Sequence, residues 1–193
     1  MMEVERYRRA LHGEPLEWLQ RRGLKPDTIK RAMLGYVPDG RYAGSISIPY
    51  FLPSGVVRGL RYRYLNPDER GKKYDNPKGM SVHLYNVARV DSPHVWICEG
   101  EFDTLILDQE GFPAVGIPGA KSFKGFWRYL FVHCEQVSIV CDADEAGRSG
   151  AARIASLLGQ VVSGDIRIVH LPEGMDVTDL YLHDRDSLRE LMS

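Results

Sequence analysis

Little in this 193-residue chain points to covalent cross-links or to a lipid bilayer. It has three cysteines, Cys98, Cys134 and Cys141, and no C-x-x-C pair among them. An odd, widely spaced set excludes a disulfide framework and a zinc ribbon, and fits a reducing cytosol. Cys98 and Cys141 fall at the ends of apolar runs and read as small buried hydrophobes. No stretch approaches the roughly 18 apolar residues of a membrane span. The charged opening M-M-E-V-E-R-Y-R-R-A lacks the apolar centre of a secretory leader. None of the six histidines has a partner at metal-ligand spacing, and there is no internal repeat or low-complexity tract. The expectation is a cytoplasmic globular protein without a membrane partner, long enough to bury a real core.

Acidic residues are scarce in the first half and basic residues in the second. Residues 1–90 hold 17 Lys and Arg against 9 Asp and Glu, whereas residues 91–193 hold 8 against 17. The net charge of −1 therefore conceals a basic N-terminal lobe, 1–90, and an acidic lobe, 91–193. Segregation of this kind suits a surface for polyanions beside a cation-binding centre.

The basic lobe reads as α+β. Short helices are expected over 2–12 and 16–22, and a third begins at Pro26, a residue suited to a first helical turn. Strands over 45–52 and 55–65 flank Pro53-Ser54-Gly55 and form an antiparallel hairpin. In the second strand Arg61 and Arg63 share one face, while Leu60, Tyr62 and Tyr64 share the other and read as core. Residues 66–80 form a polar, basic loop with Lys73, Asn76 and Lys78.

From about Pro93 strands and helices alternate, which implies a mainly parallel sheet flanked by helices. Strands are expected over 94–98, 113–117, 137–141 and 165–170. Helices are expected over 101–110 and 145–158, with a short aromatic helix over 122–131 and one or two more at the end.

Carboxylates stand where these strands stop. Glu99 closes the first strand and Asp103 follows in the next helical turn, with Gly100 between them for a tight bend. After the third strand come Asp142 and Asp144, and Ala143 puts no bulk between them. Asp176 and Asp179 follow the fourth strand. The carboxyl ends of parallel strands share one edge, where ligands gather. Carboxylates meeting there repel one another unless divalent cations neutralise them. Read singly, each could instead cap a helix. Lys121, in a loop at another strand end, could meet a phosphate or remain solvated.

The segments Glu99-Gly-Glu-Phe-Asp103, Asp142-Ala-Asp144-Glu-Ala-Gly147 and Asp176-Val-Thr-Asp179 resemble the three signature elements of the Toprim domain. That domain is shared by bacterial-type primases, type II and IA topoisomerases, and several nucleases and recombination proteins. The resemblance implies metal and proton-transfer roles for Glu99 and Mg²⁺ (or Mn²⁺) binding by Asp142 and Asp144, with two ions. Asp103, Asp176 and Asp179, which match the motifs less closely, would join the metal-binding set.

Upstream, the run from Leu19 to Tyr36, then Ser47-Ile-Pro-Tyr-Phe, Gly55 to Arg63 and Lys73-Tyr-Asp-Asn76-Pro follow the order of the RNA-polymerase core of bacterial-type primases. By that resemblance Arg63, Lys73 and Asn76 contact nucleic acid and nucleotide. Arg61, Lys78 and Lys121 are added from their charge. The implied activity is primer synthesis from ribonucleoside triphosphates on a single-stranded DNA template. The family's zinc-binding and helicase modules have no counterpart here, so a separate zinc-binding subunit and a replicative helicase are expected partners. A nuclease and a non-catalytic DNA-binding module remain the rivals; no topoisomerase tyrosine domain fits this length.

Overall fold

The computed structural model of the chain describes residues 2–142 and 144–193. The polypeptide divides into two compact units, the first ending at Ser81 and the second spanning Val82–Ser193.

The first unit opens with helices α1 (Met2–Arg9), α2 (Glu14–Arg21) and α3 (Pro26–Arg31). Prolines stand in the first turns of α2 and α3, where a missing N–H leaves no bond unmade. Strands β1 (Gly35–Val37), β2 (Ser45–Phe51) and β3 (Val57–Tyr64) follow, then the single-turn helix α4 (Pro67–Arg70) and strand β4 (Tyr74–Asp75). The four strands pair antiparallel in the order β1-β2-β3-β4. The expected hairpin is β2–β3, closed by a turn in which the Gly55 amide donates to the Leu52 carbonyl at 2.8 Å. Val4, Tyr7, Val37, Leu60 and Tyr62 pack as one apolar cluster. Tyr62 and Tyr64 are both buried, as their alternation predicts.

The second unit contains β5 (His94–Glu99), α5 (Glu101–Gln109), β6 (Ala114–Ile117), β7 (Gln136–Cys141), α6 (Glu145–Leu158), β8 (Asp165–His170), α7 (Val177–His183) and α8 (Arg185–Met192). Its strands are all parallel, in the order β6-β5-β7-β8. The connection from β6 to β7 is made of 3₁₀ turns, Ala120–Ser122 and Gly125–Phe131, where the sequence suggests one short helix.

Successive strand residues serve opposite faces of this sheet. Val95, Ile97, Val137 and Ile139 pack with Ile154 and Leu158 of α6 and with Phe123, Trp127 and Phe131. On the other face Cys98 Sγ lies 3.3 Å from the Thr104 hydroxyl of α5. Burying each large apolar side chain is worth about 1.5–3 kcal/mol, so this double-sided core dominates the unit's stability. At the end of α5, the buried Glu110 carboxylate accepts from Arg185 at 2.9 Å and Arg189 at 2.8 Å, which fixes α8.

All three cysteines are buried and free. Among the described residues, no helix is long and apolar enough to cross a membrane.

Candidate active site and nucleic-acid face

Strand order decides where the second unit can hold a ligand. From β5 the chain passes to β6 on one side and then to β7 on the other. The strand order therefore reverses between β5 and β7, and a crevice opens at their carboxyl ends. Cys98 pairs with Val140 across these two strands, so Glu99 and the Cys141–Asp142 segment leave the sheet side by side. Burial raises the Cys141 thiol pKa, and the neighbouring Glu99 and Asp142 carboxylates push it further. One thiol thus senses both acidic motifs.

Each carboxylate has its own setting. Glu99 lines a cavity of about 480 Å³ together with Lys121, Ser122, Asp144 and Gly147. Asp142 lines a neighbouring cavity with Arg148, His170 and Glu173. Asp144 is the N-cap of α6: its Oδ1 accepts from the Gly147 amide at 2.6 Å. Its second oxygen is not used by this bond. Gly147 permits the approach of helix and strand, because a Cβ there would lie 2.2 Å from the Asp142 carbonyl oxygen. Gly100, at φ +75°, makes the bend from β5 into α5 that side chains disfavour. Ala143 lies outside the described residues.

Asp103 lies near enough to Asp142 for that carboxylate to add to burial in raising its pKa, but its hydrogen bonds run to α7. Both the amide and the hydroxyl of Thr178 donate to its Oδ1, the amide at 3.0 Å. Burial holds the Asp103 carboxyl well above the usual carboxylate range, and the Asp176 carboxylate adds to the shift. Asp176 and Asp179 themselves form a capping box on α7: Asp176 accepts from the Asp179 amide at 2.7 Å and Asp179 from the Asp176 amide at 3.4 Å. Glu99 and Asp144 thus share one cavity at the switch point, and Asp142 lines the next. The structure places Asp103 beside Asp176 and gives exposed Asp179 a helix to cap.

Among the described residues, no three carboxylate, imidazole or thiol groups already converge at metal-ligand distance. The donors at this edge are carboxylate oxygens. Such a set, open and not caged, fits Mg²⁺, which takes one or two carboxylates and keeps several waters.

The first unit presents a different chemistry. Tyr74 of β4 pairs with Arg63 of β3, and the guanidinium carbons of Arg61 and Arg63 lie 4.2 and 5.3 Å from its ring centroid. Arg63 also lies 5.5 Å from the Trp18 ring, which Arg22 approaches at 4.9 Å. Five side chains from α2, β3 and β4 make one ladder of guanidinium groups and aromatic rings. Contacts of this kind contribute roughly 0.5–2 kcal/mol each, the more where water is excluded. Arg63 is only 5% exposed, which the nucleic-acid contact implied by the resemblance does not anticipate. Trp18 and Arg22 also escape the reading from sequence, although their i, i+4 spacing across the end of α2 was a usable signal. Lys73, Asn76 and Lys78 stand exposed along the 72–78 segment, where Lys72 binds Asp75 at 2.7 Å and holds its carboxyl below the usual range. Lys121 belongs to the acidic cavity of the second unit.

A parallel sheet with acidic residues at its switch point suits a Toprim domain, and residues 96–181 match the Toprim-like family model. The Gene 57 protein of Mycobacterium phage D29 is 35% identical over 156 residues, which span 77% of this chain and 98% of that protein. The chain belongs to the Toprim family. More narrowly, it has the fold of a DnaG-type primase catalytic core. The Aquifex aeolicus primase fragment with zinc-binding and RNA polymerase domains superposes with a TM-score of 0.84 at 22% identity. That match covers 98% of this chain and 58% of the fragment. The primase fragment of the bacteriophage T7 primase-helicase gives 0.69 at 22% identity, over 89% of this chain and 72% of that one. The DNA primase of Legionella pneumophila is 25% identical across 97% of this chain but only 39% of its own length. The chain therefore spans about two-fifths of that relative.

Proposed function

We propose that this chain is the catalytic core of a DNA-directed RNA primase, joining ribonucleotides on single-stranded DNA. The observation that carries the reading is that Glu99 and Asp144 line one cavity at the β5–β7 switch point of a primase-core fold, with Asp142 lining the cavity beside it. Glu99, Asp142 and Asp144 would hold two Mg²⁺ or Mn²⁺ ions. When bound, such ions acidify a primer 3′-hydroxyl and offset the charge of the reacting phosphates.

The other steps belong to side chains. Lys121 shares the Glu99–Asp144 cavity and is placed to meet a triphosphate, supplying the single positive charge among its lining residues. Asp103 and Asp176 support the acidic edge, because Thr178 joins α7 to α5 through Asp103. In the first unit the template backbone is met by Arg61, Lys73 and Lys78, with Asn76 as a neutral donor. Arg63, packed between Trp18 and Tyr74, sets the geometry of that face. A helicase and a zinc-bearing subunit acting in trans complete the proposed replication setting; a zinc-binding domain accompanies the Aquifex aeolicus primase core, and the bacteriophage T7 protein is a primase-helicase.

The test is synthesis on a mixed-sequence single-stranded template with ribonucleoside triphosphates and Mg²⁺ or Mn²⁺. New ribonucleotide oligomers, lost in Asp142→Ala, support the reading. Shortened template with no oligomers would assign the same carboxylates to a nuclease.

A further inference from the structure

The segment between β6 and β7 is chemically unlike the rest of its unit. From Gly111 to Cys134 there is no acidic residue, while Lys121, Lys124 and Arg128 fall within eight positions. A local cationic stretch is thus set into an acidic body. Its 3₁₀ helix, Gly125–Phe131, divides its aromatic residues between two environments. Trp127 and Phe131 are buried against Phe123. Phe126 and Tyr129 are turned outward, 63% and 57% exposed.

A 3₁₀ helix has three residues per turn, so side chains at i and i+3 eclipse. Phe126 and Tyr129 therefore rise from one face, about 6 Å apart along the axis. Apart from an edge contact of Phe126 with Trp127 at 6.1 Å, their apolar surface faces outward, and each ring carries a cation beside it. Lys124 Nζ lies 5.8 Å from the Phe126 centroid. The Arg128 guanidinium lies 4.6 Å from the Tyr129 centroid and donates to its hydroxyl at 2.9 Å. Arg128 also donates to the Gly125 carbonyl at 3.0 Å, which fixes it to the helix.

Exposed rings interleaved with cations, with no acid in the same stretch of chain, match a chain of bases and phosphates. An uncharged apolar partner would leave those cations unmatched. The stretch also begins at Lys121, which lines the cavity holding Glu99 and Asp144, so it is continuous with the candidate site. We infer that Phe126 and Tyr129 form a stacking platform for single-stranded nucleic acid bound at the acidic cavity. Lys124 meets its phosphates, and Arg128 holds the Tyr129 ring in position.

The inference deepens the primase reading, yet binding is measurable without synthesis. The full chain is photocrosslinked to an oligothymidylate carrying 5-iododeoxyuridine, and adducts are mapped by mass spectrometry. The affinity of the same oligonucleotide is measured for the Phe126→Ala/Tyr129→Ala double variant and for Lys124→Ala. Adducts on Tyr129 or Phe126 are expected, with binding at least roughly tenfold weaker in the double variant. Lys124→Ala should reduce the slope of log K against log salt by about 0.7. Both rings are exposed, so the thermal midpoint should not move. Adducts confined to residues outside 121–130, or unchanged binding in the double variant, would overturn the platform whatever the protein synthesises. Adducts on Tyr129 from a protein that makes no primer would sink the primase reading and leave the platform standing.

Discussion

In the first unit the charged groups of interest lie along a sheet and its neighbouring helix, where Arg61 and Arg63 are braced by Tyr74 and Trp18. In the second they lie at strand ends and helix starts, where Asp144 and Asp176 accept from backbone amides and Asp103 from Thr178. The physical reason is the pairing. An antiparallel hairpin such as β2–β3 directs alternate side chains to one face, and long cationic groups there can be covered by rings. Parallel strands bring all their carboxyl ends to one edge, and short side chains such as Asp142 emerge there in register. Guanidinium groups tolerate partial burial against aromatic rings, since they are weakly hydrated. A carboxylate needs a cation to do so, as Glu110 has in Arg185 and Arg189, and burial lifts Asp103 far above its ordinary range.

If that contrast is right, charge removal should act on chemistry in the second unit and on binding and stability in the first. The largest effect is expected for Asp142→Ala, which should lower primer synthesis by about a thousandfold or more while the thermal midpoint stays within a few degrees. Single-stranded DNA binding by the same variant should persist, as measured by fluorescence anisotropy. Loss of synthesis accompanied by unfolding would instead make Asp142 a structural residue.

Gly147→Ala comes next. A Cβ 2.2 Å from the Asp142 carbonyl oxygen forces α6 away from β7, at a cost of about 2 kcal/mol or more, and removes the amide that binds Asp144 from its place. Stability and synthesis should fall together in this variant. Denaturant unfolding beside the activity assay checks it, and near-normal values for both would show that the helix end is not fixed as described.

Arg63→Ala tests the first unit. The residue is buried between two rings and its guanidinium donates to the Tyr64 carbonyl. Its loss should cost about 2 kcal/mol of stability and weaken template binding. Arg61→Ala should weaken binding with less loss of stability, because Arg61 is half-buried where Arg63 is almost fully buried. Equal destabilisation by both would remove the distinction between a positioning arginine and a contacting one.

Much of the second unit was legible because its signals are long and periodic. The helix Glu145–Leu158 and the strand Asp165–His170 fall where the apolar spacing puts them, and Ala151, Ile154 and Leu158 face the core. Two strands escaped. β1 has three residues and β4 has two, too few for an alternation to register, and both form because a neighbour offers an edge. The Trp18–Arg63–Tyr74 stack was invisible for a related reason: it joins residues far apart in sequence by packing alone. Strand ends marked the candidate acidic residues well. Which of them point to a crevice and which cap a helix depends on side-chain direction, and a spacing such as Asp-x-x-Asp is common to both.

Asp144 and Asp179 separate those two tasks, and their variants carry the smallest effects on stability. Asparagine is as good an N-cap as aspartate, whereas alanine costs about 1 kcal/mol. Asp144→Asn should therefore keep the bond to the Gly147 amide and the thermal midpoint, yet lose synthesis with the charge; Asp144→Ala should lose both. Asp179 has its carboxylate on the Asp176 amide, at the exposed start of α7. Asp179→Ala should cost about 0.5–1 kcal/mol and leave synthesis within roughly twofold. A hundredfold loss of synthesis at an unchanged melting temperature would return Asp179 to the metal-binding set, and would mean that α7 approaches the acidic edge more closely during the reaction than its capping box implies.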